Sequence, residues 1–127
     1  MILVDTSSWI HLLRPDGDRN VRSRVETALT NGRACWRPLV QLKLWNGARG
    51  QRGRSVLEDF ARTLPELPID DEVWSAAHAL ARRARASGVT VSATDIVIAA
   101  CADRRGATLE TADSDFDLLA AVSEPGA

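Results

Sequence analysis

Ligands for soft or borderline metals are scarce in this chain. It has two cysteines and two histidines. Cys35 and Cys101 sit in apolar stretches without paired spacing, the pattern of buried thiols and not of a ligand pair or disulfide framework. His11 and His78 form no HExxH or Cys/His pattern, so each reads as a surface or packing histidine. No apolar run reaches the roughly 18 residues a spanning helix needs. The opening residues lack the basic region and apolar run of a signal peptide, so cytoplasmic residence is the expectation. GxGxxG and GxxxxGK[S/T] phosphate loops are absent. Nothing signals a serine hydrolase. Trp9, Trp36, Trp45 and Trp74 fall on separate elements, as core or interface residues do, and make no base-stacking row.

What remains is 127 residues with 45% hydrophobic and 26% charged residues, a composition suited to one globular domain. No repeat or long linker divides it. The expected domain covers residues 1–122, with 123–127 a short C-terminal tail. The net charge of -1 is unevenly spread. Residues 1–64 carry eleven basic and six acidic groups, a balance of +5; residues 65–127 carry five and eleven, a balance of -6. A near-neutral total argues against nonspecific wrapping of nucleic acid but allows a basic rim beside an acidic pocket.

Hydrophobic patterning predicts short strands alternating with helices. Residues 1–5 read as a buried strand, followed by a short helix through Trp9, Ile10, Leu12 and Leu13 that Pro15 and Gly17 end. A helix over 19–31, a strand at Ala34–Trp36 and an apolar helix from Pro38 follow, with Gly47 weakening the last. Ser55 and Glu58 have capping-box spacing before a helix to about Thr63. Pro65 and Pro68 make a rigid connector. The longest helix is expected over Asp71–Ala86, with acids first and arginines last. Ser92 and Asp95 again have capping-box spacing, before a segment apolar nearly all round, as a buried helix is. Residues 107–111 read as a strand, and a brief final strand is expected near Ala121–Val122. Such alternation favours a parallel sheet covered on both faces.

Aspartates stand where an α/β sheet builds sites. Asp5 ends the first strand and Asp95 begins the buried helix. Asp113 and Asp115 follow the strand at 107–111, with Asp117 close by. Ligands collect beyond the carboxyl ends of parallel strands, so acids distant in sequence can meet there. Converging carboxylates repel, and burial raises the cost. A hard divalent cation with oxygen ligands offsets both. It also lowers the pKa of a bound water and screens charge on a phosphate, which points to metal-dependent phosphodiester cleavage.

Three blocks, Met1-Ile2-Leu3-Val4-Asp5-Thr6-Ser7, Ser92-Ala93-Thr94-Asp95-Ile96-Val97-Ile98-Ala99-Ala100 and Thr111-Ala112-Asp113-Ser114-Asp115-Phe116-Asp117, together resemble the PIN-domain family, most closely the VapC toxins of bacterial type II toxin–antitoxin pairs. The resemblance covers nearly the whole chain. It implies a PIN-like three-layer α/β fold, with a short, mostly parallel central sheet flanked by helices. It implies a Mg²⁺-dependent endoribonuclease, Mn²⁺ serving as well, that cuts a tRNA or rRNA loop. By resemblance Asp5, Asp95, Asp113 and Asp115 are the catalytic acids and metal ligands, Thr6 and Ser7 support them, and Asp117 belongs to the shell or surface. The implied partners are a VapB-like antitoxin that blocks the pocket, the RNA, and a second copy in a homodimer.

The family's second acid normally opens a Glu-Leu-(apolar)-x-Gly run. Here that run is Lys43-Leu44-Trp45-Asn46-Gly47, and Lys43 is the lone lysine beside fifteen arginines. A cation in place of an anionic ligand implies an impaired enzyme, through a deliberate inactivating change or natural decay; an ordinary surface lysine is the bland alternative. Arg14, Arg19, Arg22, Arg24, Arg49, Arg52 and Arg54 are candidates for RNA phosphate contacts, or a solvated surface. Ile10, Leu13, Leu42 and Trp45 suit an apolar groove, an interface or the core. A PIN nuclease of RNA maturation or DNA processing, and a catalytically dead binding domain, are the alternative functions.

Overall fold

The computed structural model describes residues 1–36, 38–47 and 50–122. Three short strands make one sheet: β1 (Ile2–Val4), β2 (Ala34–Cys35) and β3 (Thr108–Glu110). Their order is β2-β1-β3, and both pairings are parallel. Seven helices complete the described chain: α1 (Thr6–Leu13), α2 (Arg19–Thr30), α3 (Pro38–Gly47), α4 (Gly50–Thr63), α5 (Asp71–Ala86), α6 (Ala93–Arg105) and α7 (Asp115–Val122). Parallel strands need long crossovers, which α1–α2 supply between β1 and β2 and α3–α6 between β2 and β3. β1 is central, and Leu3 and Val4 are wholly buried in it. The expected α/β architecture, a small parallel sheet flanked by helices, is therefore present.

Aromatic packing anchors one side of the core. Trp9 of α1 and Trp36 after β2 are wholly buried. Phe60 of α4 packs on both, with ring centroids 5.0 Å from Trp9 and 5.9 Å from Trp36. Edge-on and tilted contacts suit the ring quadrupoles. Trp36 also adds a rung beyond β2: its N–H donates to Pro65 O at 3.2 Å, and Leu67 N–H donates to Trp36 O at 3.0 Å. Cys35 and Cys101 are buried thiols. No described helix is long and apolar enough to cross a membrane.

Caps set the helix starts. Asp5, Asp18, Asp70 and Ser92 each accept a backbone N–H of the helix that follows, satisfying donors the helix itself leaves open. Gly106, with φ 65°, ends α6 in the left-handed region, where a glycine has no Cβ penalty. Gly17 is needed for a different reason: a Cβ there would fall 1.8 Å from the His11 carbonyl oxygen. The chain makes this close turn to bring the Asp18 N–H onto His11 Nδ1 at 2.9 Å.

Three expected elements differ by more than a residue. α1 begins at Thr6, before Trp9, because Asp5 caps it directly. α4 begins at Gly50, and the Ser55–Glu58 pair lies inside it. Gly53 and the buried Leu57, one turn apart, face the same groove and carry the helix back beyond that pair. Residues 121–122 form no strand and close α7. Phe116, Leu119 and Val122 all pack on the core, and their i, i+3, i+6 spacing is helical.

Asp70 yields a pH prediction. Its carboxyl is held below the ordinary aspartate value of 3.8, first by the Val73 N–H, with burial opposing and Arg105 assisting. A depressed folded-state pKa adds stability above the unfolded value, lost as pH falls through the folded one. Asp70→Asn removes that titration. The melting-temperature gap between the native chain and Asp70→Asn should therefore shrink between neutral pH and about pH 3. A gap that stays constant in thermal melts would contradict the assignment.

Candidate active site

The parallel register builds the first half of the pocket. Val4 pairs with Glu110, so the next step sets Asp5 beside Thr111. The Asp5 N–H donates to Glu110 O at 2.9 Å and extends the ladder. Both residues lie where β1 and β3 run out, the edge at which such sheets gather ligands. The loop into α7 then carries Asp113, and Asp115 opens α7, its N–H donating to Asp113 Oδ1 at 2.9 Å.

The first turn of α6 supplies the other half. Ser92 Oγ accepts the Asp95 N–H at 3.1 Å, which holds Asp95 in the capped turn. Asp95 is 6% exposed and Asp5 3%. Oxygens of Asp95, Asp113 and Asp115 lie within 4.8 Å of one another. Asp5 borders this tight group without joining it. Its Oδ2 has three donors in reach: Ser7 N at 3.2 Å, Ser7 Oγ at 2.8 Å and Thr111 Oγ1 at 3.2 Å. Its Oδ1 is buried and has no hydrogen-bond partner among the described residues. Burial pushes the Asp95 carboxyl above its ordinary value; Lys43 and Ser92 pull it back, while Asp5 and Asp113 push it up further.

These residues fit a hard divalent cation by donor chemistry. Oxygens of Asp95, Asp113 and Asp115 converge, Asp5 Oδ1 at their border is buried without a donor, and the mutual repulsion needs positive charge. Lys43 does not fit. Its Nζ lies 3.6 Å from Asp95 Oδ1, on a side chain 40% exposed. The ammonium supplies part of the positive charge that an ion would bring, and as a pure donor it ligates nothing.

Other expected residues are scattered. Asp117 is exposed and outside the tight group. Thr6 Oγ1 is buried without a hydrogen-bond partner among the described residues, so Ser7 alone of that pair contacts an acid. Arg14, Arg19, Arg52 and Arg54 are exposed. Arg22 donates to the carbonyls of Arg14 and Pro15 at 2.9 and 3.3 Å, bracing the loop before α2. Arg49 lies outside the described residues. Ile10 and Leu13 line a groove of about 300 Å³ with Arg14, Lys43, Leu44 and Leu57. Leu42 and Trp45 face outward, 65% and 37% exposed. A larger cavity, about 450 Å³, lies among alanines of α5 and α6 and contains none of the four aspartates. The acidic edge is the better site because the chemistry needs converging charge.

Sequence reasoning missed Thr111 and Glu110. Alternation along β3 turns Glu110 away from the pocket. It accepts the hydroxyl of the fully buried Ser8 at 2.8 Å and Arg24 Nε at 2.6 Å. Glu110 thereby takes Arg24 out of the set of phosphate contacts and raises its pKa. The ion pair is half exposed on the arginine side and adds little. The buried hydroxyl matters more. Glu110→Ala should cost about 1–3 kcal/mol in urea unfolding, because Ser8 is left unsatisfied. The double variant with Ser8→Ala should recover much of that loss; no recovery would refute the network.

These features define a parallel α/β domain with a carboxylate pocket at the end of its strands. A family model described as PIN domain matches residues 2–122. The chain is 34% identical to ribonuclease VapC11 of Mycobacterium tuberculosis (strain ATCC 25618 / H37Rv) over 126 residues, covering 97% of this chain and 94% of that protein. It therefore belongs to the PIN-domain family and, within it, to the VapC ribonucleases. Its fold is similar to that of VapBC-5 from Mycobacterium tuberculosis, a member of the VapBC family of toxin–antitoxin systems (TM-score 0.66, 26% identity, 92% and 88% of the two chains). It is also similar to DNA-bound VapBC from Salmonella typhimurium, with TM-score 0.75, 22% identity and coverage of 91% and 89%.

Proposed function

We propose that this chain is the toxin endoribonuclease of a toxin–antitoxin pair, carried on residues 1–122, with its metal centre impaired by Lys43. The meeting of Asp95, Asp113 and Asp115 oxygens within 4.8 Å is the observation that carries this reading. PIN nucleases are generally dependent on a divalent metal, and Asp5 Oδ1 with those three acids would hold Mg²⁺ or Mn²⁺. When bound, the ion supplies a water of lowered pKa and a counter-charge for the phosphate. Ser7 holds the Asp5 carboxylate in place, and Ser92 holds Asp95. Arg14 and Arg52 are the rim cations that meet the RNA backbone. A single-stranded loop, as in tRNA or rRNA, presents accessible phosphates and bases to such a rim.

Lys43 opposes this chemistry. Its charge is paired to the most buried member of the tight group. A second cation placed there meets repulsion that glutamate would replace with attraction, a change of two charge units. The same pair favours a second reading, a binding domain that no longer cleaves RNA. The groove beside Lys43 suits an antitoxin segment with apolar side chains. The outward Leu42 and Trp45 suit contact with the antitoxin or with a second copy.

Lys43→Glu separates these readings. Calorimetric titration should show Mn²⁺ binding at least about tenfold tighter in Lys43→Glu than in the native chain. RNA cleavage should appear with it and vanish with EDTA. Equal metal binding and equal cleavage in the two forms would sink the impairment; tight metal binding with no cleavage across many RNAs would favour the binding domain.

The rim is tested in the Lys43→Glu form. Arg14→Ala and Arg52→Ala should each weaken RNA binding and reduce the salt slope by about 0.7 for a single-stranded target. An unchanged slope in both would remove these arginines from the RNA path.

A further inference from the structure

The hydroxyl of Thr111 stands at the junction of the two halves of the pocket. It accepts the Asp113 N–H at 3.0 Å. Its own proton has two acceptors in reach, Asp5 Oδ2 at 3.2 Å and Ser7 Oγ at 3.1 Å. Ser7 repeats the arrangement: its Oγ accepts the Ala112 N–H at 2.9 Å and donates to Asp5 Oδ2 at 2.8 Å. Two hydroxyls 104 residues apart thus each take one amide of the loop after β3.

We propose that Thr111 is a positioning residue, whose hydroxyl ties the Asp5 carboxylate to the loop that bears Asp113 and leads into Asp115 at the start of α7, and so fixes the spacing at which a divalent cation meets these acids. This rests on the reading of the pocket as a metal centre. The physical argument is one of opposed forces. Like-charged carboxylates are driven apart, and a surface loop yields most easily by swinging into water. The Thr111 hydroxyl opposes that motion at both ends, holding an oxygen of Asp5 and an amide of the loop. The tie continues into Asp115, whose N–H is held by Asp113 Oδ1. It also occupies Asp5 Oδ2, which leaves the buried Oδ1 as the oxygen available for an ion. Outer-shell hydrogen bonds of this kind orient metal ligands and commonly govern affinity. The fold has a separate anchor for β3 on the opposite side, through Glu110, Ser8 and Arg24. Loss of the Thr111 hydroxyl should therefore loosen the loop without unfolding the domain.

Thr111→Val keeps the side-chain shape and removes both hydrogen bonds, whereas Thr111→Ser keeps them. In the native chain, amide hydrogen exchange by NMR should quicken at Asp113 by about tenfold or more in Thr111→Val. It should stay near native in Thr111→Ser. In the Lys43→Glu background, the Mn²⁺ affinity read by electron paramagnetic resonance should fall by about tenfold or more with Thr111→Val and be retained with Thr111→Ser. Thr111→Ala, which leaves space in place of the methyl groups, serves if Thr111→Val does not fold. Unchanged Asp113 exchange in a folded variant lacking the hydroxyl overturns the tie. Quickened exchange with unchanged Mn²⁺ affinity overturns its role in the metal centre. If Lys43→Glu itself takes up no Mn²⁺, the metal reading fails and the cation role of Thr111 with it, while the exchange data still decide the tie.

Discussion

Repulsion among gathered carboxylates is the constraint around which this molecule is arranged. Asp5 and Asp95 are buried, and Asp113 and Asp115 sit beside them at the end of a three-stranded sheet. Left alone, such a group would raise its pKa values or spread into water. Burial raises the Asp95 pKa, and Asp5 and Asp113 add to that rise. The hydrogen bonds of Ser7, Thr111 and Ser92 oppose the spreading. A pocket held together against its own charge is poised to accept a cation, and in this chain Lys43 provides one.

Secondary structure and chemistry are coupled most tightly at β1 and β3. Their parallel register does more than build a sheet. By pairing Val4 with Glu110, it brings Asp5 and Thr111 side by side and turns Glu110 to the other face. One strand end thus serves two tasks. Glu110 binds Ser8 and Arg24 to hold α1 and α2 against β3, while Thr111 faces the acids. A one-residue slip would exchange these faces and destroy both.

The basic side of the molecule is similarly divided between support and contact. Arg24 is spent on Glu110, and Arg22 on the turn that Gly17 permits. Arg14 and Arg52 stay exposed. Arginine count alone therefore overstates the phosphate-binding surface. The charge asymmetry between the two halves of the chain is real, but folding assigns part of it to structure.

The elements and the chemical character of the pocket were legible in the amino-acid order, because helical and strand periodicities are local and because aspartates after strand ends are informative by type. Lys43 stood out for the same reason, as a cation where the resembled family has a glutamate. Other features depended on contacts between distant residues. The last helix replaces an expected strand because Phe116, Leu119 and Val122 find the core together. Asp5 borders the tight acidic group, Glu110 faces away from it, and Thr111 joins the two halves of the pocket; each outcome follows from strand register and side-chain facing. Those are long-range quantities, set only when β1 and β3, more than a hundred residues apart, pair in one sheet.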